Sequence, residues 1–235
     1  KLVLRQVNSA LYAPVTPVTD VRSAVTGLGY EVIRNSIASY ITDFLLDGHR
    51  HDRPAFHEKE YWRHVLATCI AADMLGQKVG FRDRFRLFTY GLLHDIGFVV
   101  IEACFPRLMD GIHERVAEGV PLIVAEKAVL SGATHGDVGG WLCQRWGLDQ
   151  TARDVVQYHH TPLLVEEPCQ ELLLLYLGNI VGTQVYESRM QLHFCESPAD
   201  ERVLAMLGLT SEDIAAASEA IHDELARFEQ MIVLP

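Results

Sequence analysis

Gly91-Leu92-Leu93-His94-Asp95-Ile96-Gly97 is the stretch on which the reading of this chain turns. His94 and Asp95 stand side by side behind Leu92 and Leu93, and Ile96, Phe98, Val99, Val100 and Ile101 follow. Two ionisable groups thus occupy a run where a core prefers none. Burying an imidazole beside a carboxylate is costly unless each finds a partner. A divalent cation bound by neutral imidazole nitrogen and carboxylate oxygen serves both. A hydrogen-bonded core histidine next to a helix-surface aspartate accounts for the pair equally well, so the remainder of the chain has to decide.

Outward from this stretch, apolar residues recur at helical spacing and convincing alternating strands are missing, which predicts an all-α fold. The basic segment from Arg82 to Arg86 starts a helix that carries His94 and Asp95 and runs to Phe105-Pro106. A long helix precedes it, from near His57 to about Val79, with Tyr61, Val65, Leu66, Ile70 and Leu75 on its apolar positions. Shorter helices are expected after Pro121 and from about His135, where Gly139 and Gly140 permit close helix contact. Another spans residues 151–160 and stops because Thr161-Pro162 disfavours its continuation. Residues 172–185 are dense in leucine and read as a buried helix, and residues 211–232 form a last one with Ile214, Ile221, Leu225 and Phe228 on one face. Ahead of all these, Leu2, Val3, Val7 and Leu11 fit a first helix that the prolines of residues 14–19 interrupt. Thr19 or Asp20 then caps a short helix ending at Gly29, an amphipathic helix covers residues 30–46, and residues 47–54 form a polar loop.

The 235 residues suffice for one large domain or two small ones. Apolar residues make up 49% and charged residues 22%, and no uninterrupted apolar stretch approaches the roughly 20 residues a spanning helix needs. No membrane association is therefore expected. Against 20 basic residues stand 31 acidic ones, a net charge of -11 that makes nucleic acid a poor partner. Five cysteines in no Cys-x-x-Cys spacing suit reduced thiols in a cytoplasmic protein better than a disulfide framework or a structural zinc site. The chain opens at Lys1 inside an expected helix, which suggests a fragment.

Six of the eleven histidines carry the more specific signal. Glu60 and His64, four residues apart, share one helix face. His94-Asp95 comes next, then His135 at a helix start after Gly132-Ala133-Thr134, then His159-His160 at a helix end. Taken singly, His64 reads as a packed histidine, His135 as a helix cap, and His159-His160 as a pair at a helix's negative pole. In order, they place donors from four helices where a bundle can converge them on a mono- or dinuclear metal site. His49, His51, His57, His113, His193 and His222 lie in polar contexts and read as surface residues.

This order resembles the HD superfamily of metal-dependent phosphohydrolases and, within it, the HDOD domain. Asn8-Ser9-Ala10 and Val25-Thr26-Gly27-Leu28-Gly29 resemble that domain's leading helical part. Trp62-Arg63-His64, the Gly91 to Gly97 stretch, His135-Gly136-Asp137-Val138-Gly139 with Trp146, and His159-His160-Thr161-Pro162 continue it. The likeness covers about residues 4–187. It implies an HD-like helical bundle (residues 51–188) preceded by a smaller helical subdomain (1–50, truncated at its start), with residues 189–235 as a helical extension. It also implies a signalling module that contacts a protein partner in bacteria, in a family with no agreed catalytic activity.

By similarity with the cyclic-dinucleotide phosphodiesterases called HD-GYP, Asp95 would bridge two metals. His64 and His94 would bind the first and His135, His159 and His160 the second, with Glu60 an accessory ligand. Such nitrogen and oxygen donors suit one or two ions of iron, manganese or zinc. Asn179 stands where the superfamily has a further Asp, Phe98 where the phosphodiesterases have a phosphate-holding Lys, and Thr161-Pro162-Leu163 where they have Gly-Tyr-Pro.

Two functions follow as expectations: a regulatory module with a structural or sensory metal, or a metal-dependent phosphohydrolase of a nucleotide or other small phosphate ester. In the second, Asp95 would be catalytic through the metals, and Arg63, Arg145 and Arg153 could steady a phosphate. The same ligands also permit an oxygen-activating di-iron enzyme, which no substrate-side feature supports.

Overall fold

A computed structural model describes residues 56–186 and 198–233. The expectations for the helices of residues 1–46, for the loop after them and for His49, His51 and His193 lie outside the described residues. The chain divides into one unit of Arg50–His222 and another of Lys1–His49 with Asp223–Pro235. The larger unit holds every candidate site residue.

Its elements are all helical among the described residues. They are α1 (Glu58–Lys78), α2 (Arg84–Leu93), α3 (Ile96–Cys104), α4 (Pro106–Ala117), α5 (Leu122–Val129), α6 (His135–Arg145) and α7 (Gln150–Tyr158). A 3-10 turn (Pro162–Leu164) follows, then α8 (Gln170–Tyr186), α9 (Glu201–Leu207) and α10 (Ser211–Val233), which leaves this unit at Asp223. The all-α expectation holds for these residues. Local chemistry sets several starts. Asp83, Asp149 and Asp200 accept hydrogen bonds from the first-turn amides of α2, α7 and α9, satisfying donors that a helix start leaves open.

Helices α1 and α8 form the centre. Leu172, Leu173, Leu174, Leu175, Leu177 and Val181 are buried on every side of α8, which is what a helix apolar all round requires. Each such leucine contributes about 2 kcal/mol relative to an exposed one. The axes approach closely because Gly178 faces α1: a Cβ there would lie 2.7 Å from the Ala72 amide nitrogen. Helices α6 and α7, α1 and α2, and α3 and α6 also pack closely.

The structure departs from the expected elements in three places. The single helix expected from residue 82 to 105 is broken at His94-Asp95, Asp95 taking φ -102° and ψ 12° at the start of α3. On an unbroken helix, adjacent side chains point about 100° apart. The break lets His94 and Asp95 reach one point. Helix α4 was not expected, although Pro106 opens it and Met109, Ile112 and Val116 give it a buried face. Nor was α9, whose seven residues are too few to show a period. The stretch Arg84–Cys104 is long and apolar enough to cross a membrane by composition, but half of it is buried inside the fold.

Gly178→Ala should destabilise the protein by about 2–3 kcal/mol, because the methyl meets α1 backbone rather than a side chain that can swing away. Urea unfolding of the two proteins would measure this, and an unchanged midpoint would contradict the close α1–α8 approach.

Candidate metal centre

Four helix ends and one helix face bring the histidines together. His64 projects from α1, His94 and Asp95 occupy the α2–α3 break, His135 opens α6, and His159 and His160 close α7. The two oxygens of Asp95 face different pairs. Oδ2 lies 3.3 Å from His64 Nε2 and 3.2 Å from His94 Nε2, while Oδ1 lies 3.3 Å from Nε2 of both His135 and His159. The donors form two groups that could each hold an ion, His64–His94–Asp95 and Asp95–His135–His159–His160. His64, His94, Asp95, His135 and His159 are all buried, and His160 is half-buried.

The outer nitrogens are pinned. His94 Nδ1 donates to the Gly91 carbonyl at 2.7 Å, and His159 Nδ1 donates to the Val156 carbonyl at 2.8 Å. His135 Nδ1 donates to Glu126 Oε1 at 2.6 Å, and the His135 amide donates to Glu126 Oε2 at 3.2 Å. Carbonyl and carboxylate oxygens only accept, so in the neutral rings Nδ1 carries the hydrogen and Nε2 presents a lone pair inward. Glu126 is the functional residue the sequence reading missed. Its signal was a lone carboxylate in the apolar run Leu122-Ile123-Val124-Ala125.

This geometry fits cations. His64 Nε2 lies 3.3 Å from His94 Nε2, and His135 Nε2 lies 3.2 Å from His159 Nε2. His94 and His159 each turn an Nε2 lone pair toward the neighbouring ring, so either a proton on that ring or a cation has to sit between the two nitrogens. Ligands about 2.1 Å from one ion stand roughly 3.0–3.4 Å apart in octahedral or tetrahedral arrangement, and the observed spacings fall in that interval. Among the described residues, the buried atoms without a hydrogen-bond partner include Asp95 Oδ1 in the centre and Tyr61 Oη, Thr68 Oγ1 and Asn179 Oδ1 on α1 and α8.

The electrostatics divide the rings between neutral and charged forms. Burial would raise the Asp95 pKa, but His94 and the rings of His135, His159 and His64 hold it well below the usual carboxylate range, so it stays ionised. Burial pushes His159 down to about 4 and His160 well below the ordinary imidazole value, leaving both neutral and able to ligate. Burial would also lower His135, but Glu126 and Asp95 together raise it to about 10, so without an ion this ring is protonated, and a cation bound at its Nε2 would displace that proton.

Packing holds the arrangement. A Cβ on Gly97 would fall 1.9 Å from the His135 carbonyl oxygen, so α3 lies on α6 only because residue 97 is glycine. Gly139 admits Val156 of α7 as expected, its missing Cβ lying 2.6 Å from Val156 Cγ1. Thr134 and Asp137 close a capping box at the start of α6. Phe98 stacks on His135 with ring centroids 4.1 Å apart and planes 14° apart.

Other expected residues stand outside the two groups. Glu60 is bound by Arg63 at 2.7 Å. Asn179 reaches the centre only through His160, its Nδ2 lying 3.5 Å from Nδ1. Arg145 sits over the Trp141 ring and Arg153 bonds Gln150. His57 and His113 are half-buried, not on the open surface as expected, while His222 is exposed.

Asp95→Asn should abolish metal retention, because the shared carboxylate charge serves both groups. Elemental analysis of chain purified without chelator would test this. A variant that keeps the wild-type metal content would remove Asp95 from the centre.

The comparisons with known proteins agree on the fold. A Treponema pallidum (strain Nichols) protein of uncharacterized function is 26% identical over 162 residues, 67% of this chain, and this chain spans only 30% of that relative's length. A candidate phosphohydrolase of Shewanella amazonensis SB2B superposes with TM-score 0.63 at 20% identity, covering 98% of this chain and 80% of that one. A candidate signal transduction protein of Marinobacter aquaeolei VT8 superposes with TM-score 0.64 at 21% identity, covering 98% of this chain and 51% of that one. The HDOD domain profile matches residues 2–162. With that match over more than half its length, and with the His64, His94-Asp95, His135 and His159-His160 order folded onto one point, the chain belongs to the HDOD domain family.

Proposed function

We propose that this chain is a regulatory module of a signalling system that keeps a mono- or dinuclear centre of iron, manganese or zinc as a structural or sensory element, and that it acts by contacting a protein partner. The observation that carries this reading is Phe98. At 1% exposure it lies flat on His135, a group of the centre, at the position where the phosphodiesterases that the sequence resembles carry a phosphate-holding Lys. The arginines nearest in sequence are engaged by Glu60, Trp141 and Gln150 on their own helices. The site has the donors to hold ions, while the described arginines nearest to it in sequence are committed elsewhere.

A second reading, hydrolysis of a small phosphate ester, is favoured by one feature. A cavity of about 370 Å³ borders His160 and is walled by Pro162, Leu163, Tyr176, Arg202 and Val203. It is large enough for a small ligand. Bound ions would there polarise phosphoryl oxygens, and the likeness to a candidate phosphohydrolase supports the idea. Against it, Arg202 is paired with Asp200 at 2.7 Å.

The two readings separate in one assay. Wild-type protein loaded with manganese or iron should turn over no nucleotide or phosphodiester faster than Asp95→Asn does, while His94→Ala lowers both metal content and melting temperature. Turnover present in the wild type and absent in Asp95→Asn would make the hydrolase reading correct.

A further inference from the structure

The two halves of the centre are built unequally. The Asp95–His135–His159–His160 group has four donors and the His64–His94–Asp95 group has three. Behind the first stands Glu126, a fully buried carboxylate that grips His135 at both its ring and its amide. Behind the second, the corresponding contact of His94 is a neutral carbonyl, that of Gly91. Glu60, the carboxylate one turn from His64, is neutralised by Arg63 and lies outside the group. Charge on a residue bonded to a ligand raises that ligand's basicity and its hold on a cation. In a buried site such a charge is poorly screened. The shared carboxylate adds to the difference, since the ion bound first offsets the Asp95 charge that would attract the next.

We propose that the centre fills in two unequal steps, the four-donor group first and tightly, the three-donor group second and weakly, with Glu126 as the positioning residue that sets the order. This rests on the metal reading above and adds a regulatory meaning to it. The weaker step is the one whose occupancy follows the surrounding cation concentration. Its ligands come from α1 and from the α2–α3 break, so filling it ties those elements together through a contact that the first ion does not make.

The test is a calorimetric titration of Mn2+ into the chelator-treated full chain, run for the wild type, His64→Ala and Glu126→Gln. The wild type should show two steps at least tenfold apart. His64→Ala should keep the tight step and lose the weak one. Glu126→Gln retains an acceptor for His135 Nδ1 but not the charge. It should weaken the tight step by about 10–100-fold and leave the weak step within twofold. Should Glu126→Gln fail to fold by circular dichroism, Glu126→Asp, which keeps the charge, should restore both fold and tight step. Two equal steps, loss of the tight step in His64→Ala, or an unchanged tight step in a folded Glu126→Gln would each overturn the unequal loading while leaving the metal reading intact. No binding at all would overturn both.

Discussion

Four imidazoles are buried around one carboxylate, and the rest of the larger unit is arranged to tolerate that concentration. Asp95 and the imidazoles of His64, His94, His135 and His159 meet at 3.2–3.3 Å with almost no exposure. Unpartnered buried polar atoms cost free energy that no apolar neighbour can return. The protein must hold them there by force of packing, and a cation bound among them would satisfy their lone pairs together. The supporting structure accordingly fixes each ring with a contact on its outer nitrogen where one is seen. Carbonyls of Gly91 and Val156 and the carboxylate of Glu126 lock the ring orientations, and helix starts and ends rather than helix middles deliver five of the six groups.

Glycine makes this convergence possible at two scales. At Gly178 it lets the leucine-rich α8 press its backbone against α1, which sets where His64 stands. At Gly97 it lets α3 lie on the carbonyl of His135, which brings the Asp95 carboxylate within reach of both halves of the centre. The centre is thus coupled to the core. Helix α1, one member of the central pair, itself carries His64, while α8 supplies packing and none of the six donors.

Much of the fold could be read from the chain because its signals are local and periodic. Long helices such as α1 and α8 repeat their apolar positions over many turns, and the Thr161-Pro162 stop was legible one dipeptide at a time. Short elements were not. Helix α9 has under two turns after its cap, and α4 hides its three apolar contacts among charged residues. The break at His94-Asp95 was invisible because Arg84–Cys104 keeps a helical apolar pattern straight through it. Only the demand that two adjacent side chains reach one point interrupts the helix.

The sequence by itself determined which residues could form a centre and in what order they arrive, since imidazole and carboxylate in an apolar run have few other uses and the histidine order resembles a known one. Tertiary structure alone decided how they share the work. That Asp95 turns one oxygen to each group, that Glu126 stands behind His135, and that Phe98 lies on His135 are relations between residues on different helices. No periodicity encodes them, because they come from helices meeting at angles and distances that close packing, not local propensity, selects.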